Sequence, residues 1–552
     1  MANRSSATRW PSWVPSRTDV LVPRRLAAAL RELGVDTVFG LMGDGNLHHL
    51  IDFDDLGGTV VTAVTEGAAV SMADGYARVG SRLGVASVTH GPGATNMLTA
   101  LVEAVRARTP LIVLTGDTVS RPDHLQALDL RALATVAGAG YHRVLRAEDV
   151  AGDLDAVVRR VLRSGTPVLF DVPVDLHGTE AAEAPILRPV DLGAGPAPGA
   201  DDLDRALGVL ASARRPVILA GRGAAGSRDE ILRLAAVLGA PVGTTLLGKG
   251  LFAGEPLDLG VIGTLSSEVT ARTVGDADCV LVLGAGLNRY TTVDGSLFAG
   301  AAVVHVDHDA LRLSGAAAVG VVADVGAAVL AMTELLVEVE HPGSSGHPAD
   351  LAERLAAHDP YDEFTDRSGV DTLDGRTVML ALDAVLPRER VVVTDTGRFV
   401  YAPWRYLGVA APTDFVHTCN FASIGLGLGT AIGAAVASGR LTVAVVGDGG
   451  GLMNLLELST AVRLGLPLVV VVCNDGAYGM EYRHLVHAGL DPSPARCAWP
   501  DFVEIGRALG ADAITVRTRE ELDRAGELFA EVRRPLLLDV RCDPSVDVGE
   551  AS

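Results

Sequence analysis

Lysine is all but absent from this chain: one, Lys249, stands beside 45 arginines in 552 residues. We read that imbalance as a base-composition bias rather than as function. Aromatic residues are also scarce, at 4%, while 48% of residues are hydrophobic. The interior must then be built from Ala, Val, Leu and Gly, which suits an α/β protein. Basic residues number 46 against 68 acidic ones, a net charge of −22. That balance argues against nucleic acid and anionic membrane surfaces as partners. The five cysteines (Cys279, Cys419, Cys473, Cys497 and Cys542) form no CxxC pair, so no structural zinc is expected and a reducing, cytoplasmic setting fits. No apolar run in the first 18 residues is long enough for a signal peptide or membrane span; a frayed tail is expected there. No GxxxxGK[ST] occurs, which disfavours a P-loop nucleotide site. At this length about three domains are expected.

The stretch from Val443 to Met480 organises the rest. An apolar run, Val443–Val446, ends on Gly447-Asp448-Gly449-Gly450-Gly451. Helical spacing follows from Asn454 to Leu464, with Leu455, Leu456, Leu458 and Val462 on one face. Gly465 and Pro467 stop it. Leu468–Val472 then reads as a buried parallel strand ending on Cys473-Asn474-Asp475-Gly476. A βαβ unit places both strand ends at one sheet edge, so Asp448 and Asp475 should meet there. Two carboxylates at one edge suit a hard divalent cation that takes its other oxygens from phosphate and water. Glycine N–H groups at a helix start suit anionic oxygens. Taken alone, GDG is better read as an ordinary strand-to-helix turn; the second acidic turn at matching spacing favours Mg²⁺ and a diphosphate.

The remaining chain alternates strand and helix patterns. Residues 19–180 contain a helix at Val22–Leu33, strands at Thr37–Gly40, Val60–Thr65, Gly84–Thr89, Leu111–Leu114 and Pro167–Val172, and a helix at Gly67–Val79. A loose Ala/Pro/Gly segment spans Gly178–Asp201. A second α/β domain covers 202–338, with strands at Pro216–Ala220, Asp278–Gly284 and Val303–Asp309, the last two finishing its sheet. Its Gly221-Arg222-Gly223-Ala224-Ala225-Gly226 is a formal GxGxxG. No acidic residue ends the next strand, so a tight structural turn is the better reading. After a second loose stretch, 341–374, a third domain covers 375–545. The expected fold is thus α/β, with three doubly wound parallel-sheet domains.

With these motifs the chain resembles the thiamine diphosphate (ThDP) enzymes of the acetolactate synthase, pyruvate decarboxylase and benzaldehyde lyase superfamily. Asp475 stands where the motif usually has its second Asn, and an Asp keeps an oxygen ligand. The resemblance implies Asp448, Asp475 and the Ala477 carbonyl as Mg²⁺ ligands. It implies Thr396, Gly397, Arg398, Gly449, Gly450, Tyr478, Gly479 and Met480 around the diphosphate. Ile424 would be the apolar wedge beneath the cofactor, and the Ala422 carbonyl the acceptor for its amino group. In the first domain, Val64-Thr65-Glu66-Gly67 and Thr89-His90-Gly91-Pro92-Gly93-Ala94-Thr95-Asn96 resemble the pyrimidine-binding half. Glu66, Pro92 and Asn96 would contact the pyrimidine, and a buried Glu66 would exchange a proton with its ring nitrogen. By itself Glu66 also fits a first-turn helix acid. Asp44, His90 and Glu481 match proton-handling positions of the decarboxylases. Their plain alternatives are a turn residue, a satisfied buried histidine and a solvated helix acid. His124 and Gln126 lie in a loop able to face the substrate.

The implied reaction is decarboxylation of a 2-oxo acid followed by attack on a second carbonyl, an aldehyde or another 2-oxo acid. Leu247-Gly248-Lys249-Gly250-Leu251-Phe252 strengthens the likeness to acetolactate synthases. Asp44 and Glu481 point instead to simple decarboxylation with release of an aldehyde. A catalytically silent ThDP-binding paralogue is the reading from another class. The resemblance further implies a homodimer or homotetramer with active sites between subunits, and a central domain that either holds FAD or is empty.

Overall fold

A computed structural model of the chain describes residues 20–118, 123–182, 186–191, 193, 195–546 and 548; the expected tail, 1–18, lies outside them. The chain divides into two compact units. One comprises the residues up to Val70 with Val85–Leu98 and Pro110–Asp191; the other comprises Ser71–Gly84, Thr99–Thr109 and the chain from Leu192 onward.

The first sheet takes Thr37–Gly40 (β1), Thr59–Thr62 (β2), Gly84–Ser87 (β3), Leu111–Thr115 (β4), Gly140–Arg143 (β5) and Val168–Asp171 (β6) in the order β2-β1-β3-β4-β6-β5. Strands β3, β4 and β6 are buried throughout, as runs of aliphatic residues in a parallel sheet should be. The expected strand Val60–Thr65 stops at Thr62, because Glu66 already opens the helix Glu66–Gly80. Strand β5 escapes the sequence pattern: Gly-Tyr-His-Arg is half-buried at every position, on a sheet edge.

In the second unit, Pro216–Ala220 (β7), Val242–Thr244 (β8), Asp258–Val261 (β9), Cys279–Leu283 (β10), Ala302–Asp307 (β11) and Val319–Val322 (β12) are ordered β12-β11-β10-β7-β8-β9. The strands expected to finish this sheet, β10 and β11, lie inside it; the edges are β9 and β12, too short and glycine-bearing to declare themselves. A Cβ on Gly221 would strike the Gly284 carbonyl, and one on Gly223 would lie 2.9 Å from the Gly284 Cα. The first two GxGxxG glycines thus serve close backbone packing, while a Cβ on Gly226 would meet nothing within 4 Å.

The third sheet holds Val391–Thr394 (β13), Phe415–His417 (β14), Thr442–Gly447 (β15), Leu468–Asn474 (β16), Asp512–Val516 (β17) and Leu536–Arg541 (β18), ordered β14-β13-β15-β16-β18-β17. This repeats the strand order of the first sheet, in line with the shared rhythm of the two segments. The helix after β15 differs from expectation. It begins at Asp448, so the glycines form its first turn rather than a loop. A 3₁₀ turn, Leu455–Glu457, interrupts it before Leu458–Leu464. The tighter 3₁₀ winding rotates the side chains, and Leu456 faces outward, 58% exposed, while Leu455 and Leu458 are buried.

Two further glycines let helices touch. A Cβ on Gly433, in the helix Gly427–Ser438, would collide with the Met72 carbonyl, and one on Gly75 with that of Thr430. Neither backbone can yield without moving a buried helix. Gly433→Ala is therefore expected to destabilise the protein by about 3 kcal/mol, read as a lower urea midpoint at unchanged slope.

Candidate active site

In the third sheet the strand order turns between β13 and β15, and ligand crevices form outside the carboxyl ends of strands at such points. Gly447 pairs with Cys473, so Asp448 and Asp475 leave the sheet almost level. The loops after β13, β15 and β16 enclose a cleft of about 110 Å³. Its walls include Thr396, Gly397, Arg398 and Ile424 from one side, and Asp448, Gly449, Gly450 and Asp475 from another. Ala477, Tyr478, Gly479, Met480 and Glu481 complete it. Glu481 is exposed at the first turn of the helix Gly479–His487.

Asp448 is buried and accepts from the backbone N–H groups of Gly449 (2.7 Å) and Gly476 (2.8 Å). Burial, and then the charge of Asp475, push it up to about 7. Burial also raises Asp475, against the pull of Arg398, whose guanidinium donates to it at 3.0 Å. A buried carboxylate whose charge is disfavoured by a half-buried neighbour fits a cation between the two. Among the described residues, no three His, Cys, Asp or Glu side chains gather as metal ligands. The pair would thus supply two side-chain oxygens, leaving the Ala477 carbonyl, phosphate and water to complete an oxygen shell. The glycines fit a tight cradle. A Cβ on Gly449 would lie 2.8 Å from the Tyr478 ring, one on Gly450 2.7 Å from the Asp395 carboxylate, and one on Gly479 2.6 Å from that of Asp475.

Arg398 lines the cleft, and its guanidinium also donates to Asp475 and to the carbonyls of Val546 and Asp543. Two carboxylates that sequence reasoning did not single out shape the turn under the cleft. Asp395, wholly buried, accepts from the N–H groups of Gly425 (2.8 Å), Leu426 (3.2 Å) and Gly427 (3.2 Å). Glu103 accepts from the Asn420 side chain (2.6 Å) and the Phe421 N–H (2.6 Å). Between them Ala422 takes a φ of +60°, a left-handed conformation that costs a non-glycine residue about 1 kcal/mol or more. Asp395 had a local signal, an acid ending a β-branched run. Glu103 had none, because its partners lie more than 300 positions away in sequence.

The first sheet turns between β1 and β3, and the other expected residues cluster at that edge. Glu66 is half-buried rather than buried, and the Asn96 side chain donates to it at 3.2 Å. Pro92 opens the short helix Pro92–Asn96. His90 is buried with Nδ1 unpartnered; burial, then His124, hold it below the usual imidazole range. The His124 ring lies 5.9 Å away, Gln126 hydrogen-bonds to His90, and the charge of Asp44 reaches it. Asp44 itself is exposed. The loop that carries it is pinned by Asn46, which bridges Gly43, Leu41 and Ser87.

Family models for thiamine pyrophosphate enzymes match three segments: the N-terminal TPP binding domain over residues 22–133, the central domain over 203–332 and the C-terminal TPP binding domain over 395–540. The chain belongs to this enzyme family. A probable acetolactate synthase large subunit of Methanocaldococcus jannaschii is 28% identical, covering 94% of this chain and 91% of the relative. A sulfoacetaldehyde acetyltransferase of Castellaniella defragrans is also 28% identical, over 92% and 91%. The solved thiamine diphosphate-dependent 4-hydroxybenzoylformate decarboxylase of Rhodococcus jostii superposes with a TM-score of 0.81 at 25% identity, covering 95% of this chain and 99% of that one. Family membership and the three parallel sheets agree with the reading from sequence.

Proposed function

We propose that this TPP-family enzyme uses ThDP and Mg²⁺ to decarboxylate a 2-oxo acid and join the remaining acyl group to a second carbonyl compound. The observation that carries this reading is the Asp448–Asp475 pair, in which burial and the charge of Asp475 disfavour the ionised form of Asp448, on a glycine-lined cleft. In this reading Asp448, Asp475 and the Ala477 carbonyl hold the metal. Thr396, Gly397, Gly449, Gly450, Tyr478, Gly479 and Met480 frame the diphosphate. Ile424 shapes the cofactor from below, with the Ala422 carbonyl as acceptor. When bound, ThDP supplies the carbon nucleophile and electron sink. Glu66, oriented by Asn96 beside Pro92, holds and returns the proton of the pyrimidine nitrogen. Segments 19–180, 202–338 and 375–545 would be the three domains.

Carboligation is favoured by the synthase and acetyltransferase relatives. Simple decarboxylation is the second reading, favoured by Asp44 acting on His90 and by Glu481 at the cleft, since acids there would be placed to protonate the product carbon. Met453 and Leu456 are 62% and 58% exposed on the segment that follows Asp448. Apolar side chains so displayed support a homodimer or homotetramer, with active sites between subunits. Incubation with a panel of 2-oxo acids, with and without aldehydes, followed by product mass analysis, tests the reading. A joined hydroxyketone or 2-hydroxy-2-acyl acid is expected. Aldehyde as the sole product in every mixture moves the assignment to decarboxylase, and absence of CO₂ release from the whole panel defeats both.

A further inference from the structure

The single lysine occupies an unusual place. Lys249 is 8% exposed, and its ammonium donates to the Trp404 carbonyl at 2.5 Å. Among the described residues no carboxylate pairs with it. The nearest acid that it feels, Asp383, is already engaged by the Arg390 guanidinium and by the Gly408 N–H. Lys249 lines a cavity of about 390 Å³ within the second unit, with Leu259, Leu265, Leu355 and Val409 among its walls. This cavity is separate from the cleft that holds Asp448 and Asp475; the two share no lining residue.

A buried ammonium with one carbonyl acceptor, the Phe415 ring 5.8 Å away and no counter-ion among the described residues has little to replace water, so its neutral form is favoured. Burial accordingly pulls Lys249 down to about 7, with Asp383 opposing and Arg390 adding to the drop. An arginine at this position would stay charged. Base composition explains why the chain has few lysines; the position of the one it has points to a role that only an amine can fill. A desolvated amine beside a cavity is the usual form of an imine-forming lysine.

The charges around the cavity select the carbonyl partner. Glu363 is taken up by Arg405, His358 and the Tyr406 hydroxyl. Asp258, also on the wall, forms no ion pair among the described residues; it accepts the Gly260 N–H at 2.8 Å, and the charge of Arg228 reaches it. Asp258 is the wall carboxylate without an ion pair among the described residues, so a carboxylate entering beside it would meet like charge. We propose that this cavity is a second ligand site, taking a small neutral aldehyde that condenses with the Lys249 amine. The amine nitrogen attacks the carbonyl carbon. The carbonyl oxygen then leaves as water with the two amine hydrogens, and a C=N bond remains; no oxidant or reductant enters. The inference does not depend on the function proposed for the other cleft.

The test is reductive trapping on the intact protein. Propanal and cyanoborohydride are added near neutral pH, and the modified peptides are mapped by mass. The α-amino group serves as an internal control amine, and a single lysine makes the map unambiguous. The expected result is propylation at Lys249 that saturates with propanal concentration. Ala253→Leu, which adds bulk at the exposed cavity lip, should abolish labelling at Lys249 and leave the α-amino group labelled as before. The proposal is overturned if Lys249 stays unmodified while the α-amino group reacts, if its labelling rises without saturation, or if Ala253→Leu leaves it unchanged.

Discussion

Glu66→Gln is expected to lower turnover by about 10²–10⁴-fold, the range for loss of a positioned proton-transfer group, while ThDP still binds. The substitution keeps the shape and an acceptor for the Asn96 amide, which donates to Glu66 at 3.2 Å. What it removes is an oxygen that gains and loses a proton. The competing role, a first-turn acid of the helix Glu66–Gly80, predicts something else. Loss of the dipole interaction would cost about 0.3–1 kcal/mol of stability and leave turnover alone. Cofactor binding followed by fluorescence or circular dichroism, beside turnover and the thermal midpoint, separates the two. Unchanged turnover with a slightly lower midpoint would remove Glu66 from the proposed chemistry.

The second large effect concerns the acidic pair. Folded Asp448 titrates near 7, against about 4 for an aspartate in the unfolded chain. A raised carboxyl contributes stability that is fully present below the unfolded value and is lost as pH rises through the folded one. The metal-free protein is therefore expected to lose stability between about pH 4 and 7, by at most about 4 kcal/mol from this group. Mg²⁺ needs the ionised form, so binding below pH 7 releases a proton. Affinity should rise with pH in that window, by up to about tenfold per unit for this one proton, and level off above it. Asp448→Asn should lower Mg²⁺ affinity by on the order of 100-fold or more, the upper range seen even for ligand-supporting residues. It should also remove the pH dependence owed to Asp448. Calorimetric titration with Mg²⁺ and ThDP at pH 5.5 and 8, two conditions bracketing the titration, reads both effects. Equal affinity at the two pH values in the unsubstituted protein would show that the pair does not hold the metal.

Much of this is legible in the sequence. Val443–Val446 and Leu468–Val472 announce buried parallel strands, and the two acidic turns follow them at fixed offsets. The first unit was legible for the same reason at β1, β4 and β6, and obscure at β5, whose polar Gly-Tyr-His-Arg sits at a sheet edge. The misplaced edges of the central sheet have a similar cause. Short edge strands carry little hydrophobic signal, and their pairing is decided by neighbours remote in sequence.

By itself the sequence determined the parallel α/β class, the family, and the residues at each strand end, because β-branched runs and glycine turns act over a few neighbouring positions. Only the tertiary structure decided what those residues face. It turned Arg398 onto Asp475, closed Glu103 over the Asn420–Phe421 turn, packed Gly433 on Met72 and set Lys249 against the Trp404 carbonyl beside a cavity. Burial and charge at such points come from segments tens to hundreds of residues apart, and no local pattern encodes them.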